Sequence, residues 1–544
     1  MHKTMRKSAV LKGAVAGIAS IAMLMSVSVT ANAADTPSYG SAVKPNITSL
    51  LGEYYNWWTP KKVVNNTPQG DAFRGKVTDA GKSVLGQNDK TVVAINNKAA
   101  ADTTKVDGTY TQAERAALDA SDGDALRIYK DAFGPIIGQY VAEGVAQGEL
   151  PKTSDLVFSK SSKDSFAGFV GTGSAKKDFN YPRPYFNKEN EGVDRTIGGD
   201  TDLNGLSPTL DIKRIPMINI DGQEYGEDYT DYQEPSQSFP SGHTTKTYNR
   251  GLGLATLLPE LGPELVARAA EGGNNRVVLG VHYPLDIMGG HIAGQYGVAT
   301  AVSDEKIAQE GAAARAELVD YLTAQCKADN HGDTLDACIT NTGANAANGY
   351  RNDFTDEVST KPVTDRASAL AAYKARMTYG FQATGTTGQA PVVPDSAVRM
   401  LDNVAAFKSL DSAQKKAVLA ATEGDSGYPL DASSQGWARV NLAAAYSAKV
   451  TLSADGKNVV KVEPGQAQAS VVRETSGNNG NNGGNGNGGS NAGNTGVNNA
   501  AGRNPSGTQP LSKTGADVSG IASAFILIAA AGVTIMMIRR KHAI

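Results

Sequence analysis

The residues best suited to chemistry fall in three short pieces of this 544-residue chain. Lys176 stands seven residues before Arg183-Pro184, and Pro240-Ser241-Gly242-His243 follows. The third piece runs from Arg276 through His282 to Asp286. Three cations, two histidines, a Ser-Gly turn and one carboxylate are a set suited to handling a phosphoryl group without a metal. His282 and Asp286 are four residues apart, and Pro284 between them suits the first turn of a helix, where its missing N–H costs nothing. That spacing lets the carboxylate reach one imidazole nitrogen, fix the tautomer and leave the other nitrogen as a nucleophile. Ser241-Gly242 at a helix entry directs backbone N–H groups and a hydroxyl toward an anion. His243 beside it is placed to protonate a leaving oxygen. Lys176, Arg183 and Arg276 supply phosphate-binding cations, the arginines as forks and the lysine as a point charge. Taken singly, each has an ordinary reading as well: a surface His–Asp pair, a helix cap, solvated charges.

Positioning these pieces requires a mostly helical body. Thr111-Gln-Ala-Glu114 is a capping box that opens a helix. Tyr129, Phe133, Ile136, Ile137, Tyr140 and Val141 then recur at helical spacing until Pro151. Tyr54-Tyr55-Asn56-Trp57-Trp58 reads as core packing. Residues 187–237 are polar and rich in Gly, Asp and Pro; they read as a long ordered loop forming one wall of a cleft. Helices resume at Thr244 and Pro284, each directly after a candidate motif. Gly251, Gly253, Gly289, Gly290 and Gly294 are costly in helices unless backbones approach closely. From Glu305 to about Tyr446 the chain is Ala-rich and helical, interrupted near Cys326–Cys338 and near Gly385–Pro394, and Lys449–Ser453 with Asn458–Val462 predicts a hairpin around Asp455-Gly456.

Both ends read as addresses. Basic residues, an apolar run from Ala14 to Val29 and Ala31-Asn32-Ala33 make a signal peptide over residues 1–33. Residues 475–510 are almost all Gly, Asn, Ser and Thr and predict a flexible linker. Leu511-Ser512-Lys513-Thr514-Gly515, an apolar span 521–538 and Arg539-Arg540-Lys541 close the chain. Between Ala34 and Pro510 no apolar run is long enough to span a bilayer, so the expected membrane contact is confined to the tail. With the body outside the cell, the two cysteines, Cys326 and Cys338, are expected to form a short-loop disulfide. The net charge of -3 gives no sign of nucleic-acid binding.

As a set, Lys176-x6-Arg183-Pro184, Pro240-Ser-Gly-His243 and Arg276-x5-His282-x3-Asp286 resemble the three-part signature of the type 2 phosphatidic acid phosphatase superfamily. That superfamily includes soluble bacterial class A acid phosphatases and vanadium haloperoxidases. The resemblance covers residues from Lys176 to Asp286 and implies a mainly α, helical-bundle catalytic domain over 41–304. Residues 305–474 follow as a helical extension with the terminal hairpin. It implies that His282 becomes a phosphohistidine, Asp286 orients it and His243 protonates the leaving group. Lys176, Arg183, Arg276, Ser241 and the Gly242 amide would hold the phosphate oxygens, with no metal. Where the family usually has Ser before the motif-three Arg, this chain has Asn275, whose amide can donate to phosphate with a different reach. Asp425–Leu430 and Gly436–Leu442 are similar to tails of soluble bacterial members. The C-terminus resembles a Gram-positive cell-wall sorting signal, in which a sortase cuts between Thr514 and Gly515 and joins the protein to peptidoglycan. Ser512 stands where the usual motif has Pro.

The leading reading is therefore a secreted, wall-anchored acid phosphatase for phosphomonoesters that uses no cofactor. A vanadium-dependent haloperoxidase, holding vanadate in the same pocket, is the second. A non-catalytic surface binding protein on the same fold is the third, and the filled catalytic positions argue against it.

Overall fold

In the computed structural model the described residues are 45–60, 75–106, 109–120, 125–159, 165–185, 210–227, 229 and 237–475. The signal peptide, the linker beyond residue 475, the Leu511–Gly515 motif and the span 521–538 lie outside them. Among the described residues no helix is long and apolar enough to cross a membrane.

The fold is mainly helical, as the sequence predicts. Helices α1 (Gly81–Ala101), α2 (Gln112–Ala120), α3 (Pro135–Gln147) and α4 (Gly173–Phe179) precede a small hairpin, β1 (Ile218–Ile220) and β2 (Gln223–Tyr225). Then come α5 (Gly242–Leu257), α6 (Gly262–Val278), α7 (Pro284–Ala301), α8 (Glu305–Ala328) and α9 (Arg366–Thr378). The short α10 (Leu442–Tyr446) leads into β3 (Lys449–Leu452), β4 (Val459–Glu463) and β5 (Ser470–Arg473).

At the centre α5, α6 and α7 pack on one another, and α6 is also touched by α1, α2, α9 and α10. Every residue of α6 is therefore buried. Glycine makes the close approaches possible. A Cβ at Gly251 of α5 would lie 2.6 Å from Ala269 Cβ on α6, and one at Gly290 of α7 would lie 2.8 Å from the Ser241 carbonyl. The second contact sets α7 directly against the motif-two turn.

Burying α6 on all sides also buries its charges, which then need opposite partners. Glu264 takes the Arg366 guanidinium at 2.7 Å on both oxygens. Arg268 grips Asp119 of α2 with two bonds of 2.7 and 2.8 Å. Glu271 is paired with Arg115 of α2 and also accepts the Tyr350 hydroxyl. Burial alone would push the Glu271 carboxyl up, but Arg115 and Arg268 overcome it and hold it down at about 2. A carboxyl whose folded pKa is depressed contributes stability that is complete above its unfolded value and lost as pH falls through the folded one. From an ordinary value of 4.5 down to about 2, this pair is worth about 3 kcal/mol as an upper bound. Glu271→Gln should therefore lower Tm at pH 7 and flatten its decline between pH 4.5 and 2. A variant that keeps the wild-type acid slope would place the lost stability elsewhere.

The Thr111 capping box forms as expected: Thr111 N–H donates to Glu114 Oε2 at 2.7 Å and Glu114 N–H to Thr111 Oγ1 at 3.2 Å. Three local expectations change. The pattern from Tyr129 to Val141 is not one helix; it breaks at Gly134, whose φ is 76° and whose Cβ would meet the Asn348 carbonyl at 2.4 Å. Within the stretch read as loop, β1 and β2 pair around Asp221-Gly222, both at positive φ. Asp-Gly is a hairpin-turn signal that the polar composition around it hid. At the C-terminal end β3 and β4 form the expected hairpin, and β5 adds a parallel neighbour to β3. A parallel neighbour carries no tight-turn signature, so four residues gave little to read. Cys326 and Cys338 are joined in a disulfide. Tyr54 stacks on Phe239, and its ring lies edge-on to Phe179 and Tyr181, within the core behind motif two.

Candidate active site

Three chain segments meet where α4 ends and α5 and α7 begin. Lys176 lies in the last turn of α4, which Asn180 ends in the left-handed conformation. Its ammonium donates to the carbonyls of Gln237 and Ser238 at 2.8 and 2.7 Å, and Ser238 N–H donates to the Tyr181 carbonyl at 2.7 Å. The loop after motif one is thereby laid along the entry to motif two.

Ser241 is the N-cap of α5, its Oγ accepting from Thr244 N–H at 3.2 Å. Gly242 opens the helix, and a Cβ there would lie 3.0 Å from Thr172 Oγ1 and 3.9 Å from Lys176 Cε. Backbone and lysine stem thus share one small space. The first-turn amides have no intrahelical acceptor, which is the basis of anion binding at such a terminus. Ser241 N–H donates to the Asp286 carbonyl at 3.0 Å, tying motif two to motif three.

Helix α6 ends in a Schellman motif: Val281 N–H donates to the Arg276 carbonyl, Gly280 N–H to that of Val277, and Gly280 has φ 68°. This stop explains the spacing from Arg276 to His282, since it folds the chain back before α7 starts at Pro284. Asn88 of α1 secures the restart by accepting Leu285 N–H at 3.0 Å.

His282 Nδ1 lies 3.0 Å from Asp286 Oδ2, and Nε2 lies 3.0 Å from Arg183 Nη1, which also donates to the Val281 carbonyl at 2.8 Å. Asp286 Oδ2 accepts Tyr283 N–H at 2.8 Å and the Ser238 hydroxyl. Burial depresses the His282 pKa well below its usual range, and the charges of Arg183, Lys176, Arg276 and His243 depress it further. The imidazole is therefore neutral. With its Nδ1 proton directed at Asp286, Nε2 carries the lone pair. That is the state a nucleophile requires.

Asp286 is raised to about 6 by burial, against the opposing pull of Ser238, the Tyr283 amide, Lys176 and Arg183. A carboxyl raised this far is ionised above about pH 6 and takes a proton below it. Protonation removes the acceptor that orients His282, so kcat/KM for a phosphate ester should fall as pH drops through about 6. A pH–rate profile that stays flat down to pH 4.5 would mean that Asp286 keeps its charge there.

The structure thus brings together Lys176, Arg183, Ser241, Gly242, His282 and Asp286. His243 is half-buried in the first turn of α5, and Arg276 is buried and ion-paired with Glu227. Asn275 points its amide elsewhere: Nδ2 donates to Asp119 at 2.6 Å, joining the Arg268 network. Ser238 and Glu227 are site residues to which the motifs assign no role. Their partners are 48 and 49 positions away, a relation that local spacing does not encode. The tail segments Asp425–Leu430 and Gly436–Leu442 contribute to the walls of a separate cavity of about 370 Å³, together with Met288, His291 and Ile292 of α7.

Comparison with known proteins matches the stretch of chain that carries these residues. Residues 165–305, which contain all three motifs, match the family model of the PAP2 superfamily. A curated relative, an acid phosphatase of Zymomonas mobilis, is 33% identical over 81 residues, covering 15% of this chain and 31% of that protein. The chain therefore spans about a third of the length of the curated relative it matches.

Proposed function

We propose that this protein is a secreted, surface-anchored phosphatase that hydrolyses phosphomonoesters through a phosphohistidine, without metal or cofactor. The single observation that carries the reading is His282: a neutral, buried imidazole with Nδ1 held by Asp286 and Nε2 directed at Arg183. The PAP2 match over residues 165–305 and the partial likeness to an acid phosphatase support the same reaction class.

In the first step the Nε2 lone pair of His282 attacks phosphorus and the bond from phosphorus to the ester oxygen breaks. His243 gives its proton to that oxygen, and the alcohol leaves. Lys176, Arg183, Arg276, Ser241 and the Gly242 amide take the charge that builds on the phosphoryl oxygens. In the second step water attacks phosphorus and yields its proton to His243. The P–N bond breaks, releasing phosphate and restoring neutral His282. His243 enters the first step carrying the proton it gives up, while Asp286 sets the lower pH limit.

Hydrolysis of a panel of nucleotides, small phosphomonoesters, inositol phosphates and lipid phosphates by the purified ectodomain tests the activity and ranks the substrates. Bromide oxidation with peroxide by vanadate-loaded protein, alongside negligible ester hydrolysis without vanadate, would reverse the assignment in favour of a haloperoxidase. Anchoring rests on the sequence of the tail, with sortase and peptidoglycan as partners. Deleting residues 515–544 should release active enzyme into the medium, and continued wall association of the truncated protein would place the anchor elsewhere.

A further inference from the structure

Each of the four charged residues of α6 meets an opposite charge from outside the helix, and the fourth pair differs in kind. Glu264, Arg268 and Glu271 are joined to Arg366, Asp119 and Arg115, none of which belongs to the three motifs. Arg276 instead belongs to the cation set around His282, and its Nη1 is paired with Glu227. Glu227 comes from the segment after the β1–β2 hairpin, the stretch read from sequence as one wall of the cleft. We propose that Glu227 is a positioning residue whose carboxylate holds one end of the Arg276 guanidinium and aims the rest of the fork at the phosphoryl oxygens. The proposal rests on the phosphoryl-transfer reading of the site.

The chain is built to deliver this carboxylate. Tyr225, at the end of β2, is fastened by Arg127, which lies 4.7 Å from its ring centre and donates to its hydroxyl at 2.9 Å. Gly226 follows with φ 148°, a conformation that side chains rarely adopt, and a Cβ there would meet Met217 at 2.9 Å. Glu227 is thereby turned inward, with its side chain 10% exposed and that of Arg276 only 2%.

The electrostatics require such a group. Lys176, Arg183 and Arg276 all act on His282, and Asp286 balances one of the three. Before substrate arrives, three crowded cations repel one another, which works against holding the buried Arg276 guanidinium at the site. A second carboxylate keeps it in place. Even a bidentate carboxylate accepts two of the five N–H donors on a guanidinium, so pairing with Glu227 does not by itself use up the fork.

Inorganic phosphate binding by calorimetry and ester kinetics, measured on wild type, Glu227→Gln, Glu227→Ala and the same changes in an Arg276→Ala background, test this role. Positioning predicts that Glu227→Ala weakens phosphate binding and lowers kcat/KM, each by roughly 10–100-fold, as loss of an orienting outer contact does elsewhere. Glu227→Gln keeps an acceptor oxygen and should recover most of both. In the Arg276→Ala background neither change should add anything, which a merely structural role would not produce. Should Glu227→Ala fail to fold, Glu227→Asp, which withdraws the carboxylate by one methylene, should show the same deficit. Tighter phosphate binding in Glu227→Ala would make Glu227 a competitor of substrate, and additive losses with Arg276→Ala would place its action elsewhere; either overturns the proposal. Wild type that binds phosphate but hydrolyses no ester would sink the phosphatase reading alone. Wild type that binds no phosphate would sink both.

Discussion

His282→Ala should lower kcat for a phosphomonoester by about 10⁴-fold or more, equivalent to about 5.5 kcal/mol of transition-state stabilisation. The size follows from what the side chain does. In the proposed mechanism Nε2 forms the bond to phosphorus, and His282 is the imidazole whose Nδ1 faces Asp286. His291 is also buried and lowered to about 3, but its Nε2 meets Tyr373 at 2.8 Å on the cavity side of α7. Phosphate binding should survive the substitution better than turnover, because Lys176, Arg183 and Arg276 remain. The check is kcat set against the dissociation constant for inorganic phosphate in the same variant. Equal loss of both would mean that alanine collapses the anion site, and wild-type turnover would remove His282 from the chemistry.

The second large effect should depend on the leaving group. His243 sits in the first turn of α5, one residue after Gly242, close enough for its charge to act on His282. As the general acid it matters when the departing oxygen is a poor leaving group. His243→Ala should slow an alkyl phosphate by ~10²–10⁴-fold, the usual range for general acid catalysis. An aryl phosphate with a stabilised phenolate should lose far less. The measurement is a leaving-group series of kcat/KM for wild type and variant, whose dependence on leaving-group pKa steepens when the acid is removed. Parallel lines would assign His243 to phosphate binding instead.

What the sequence made legible was local. His282 and Asp286 lie four positions apart, and Pro284 announced the helix that begins between them. Ser241-Gly242 announced a helix entry, and Thr111 with Glu114 another. In each case the partners are within four positions, so residue type and spacing carry the geometry. What stayed hidden is made by chain crossing. Ser238 bonds to Asp286, Glu227 pairs with Arg276, and Lys176 ties down the Gln237 and Ser238 carbonyls, all across dozens of residues.

Asn275 shows the same limit from the other side. Its place beside Arg276 made it a candidate ligand, but helical geometry sends adjacent side chains about 100° apart. While Arg276 meets Glu227, Asn275 therefore reaches Asp119 and the buried ion network. The packing of α6 on all sides was equally obscure, because Gly, Ala and paired charges do not read as a core stripe. The glycines of α5 and α7 were the better clue, since close backbone approach was the reason to expect them there.

The most direct test of the account is to trap the enzyme during turnover. A P–N bond is labile in acid and persists in base, so wild type mixed with ³²P-labelled ester should be quenched in alkali within milliseconds and digested for mass spectrometry. The account predicts labelled phosphate on the peptide containing His282, absent from His282→Ala and accumulating when the leaving alcohol departs quickly. Phosphate on His243, or no phosphoenzyme at any time during rapid steady-state hydrolysis, would contradict it.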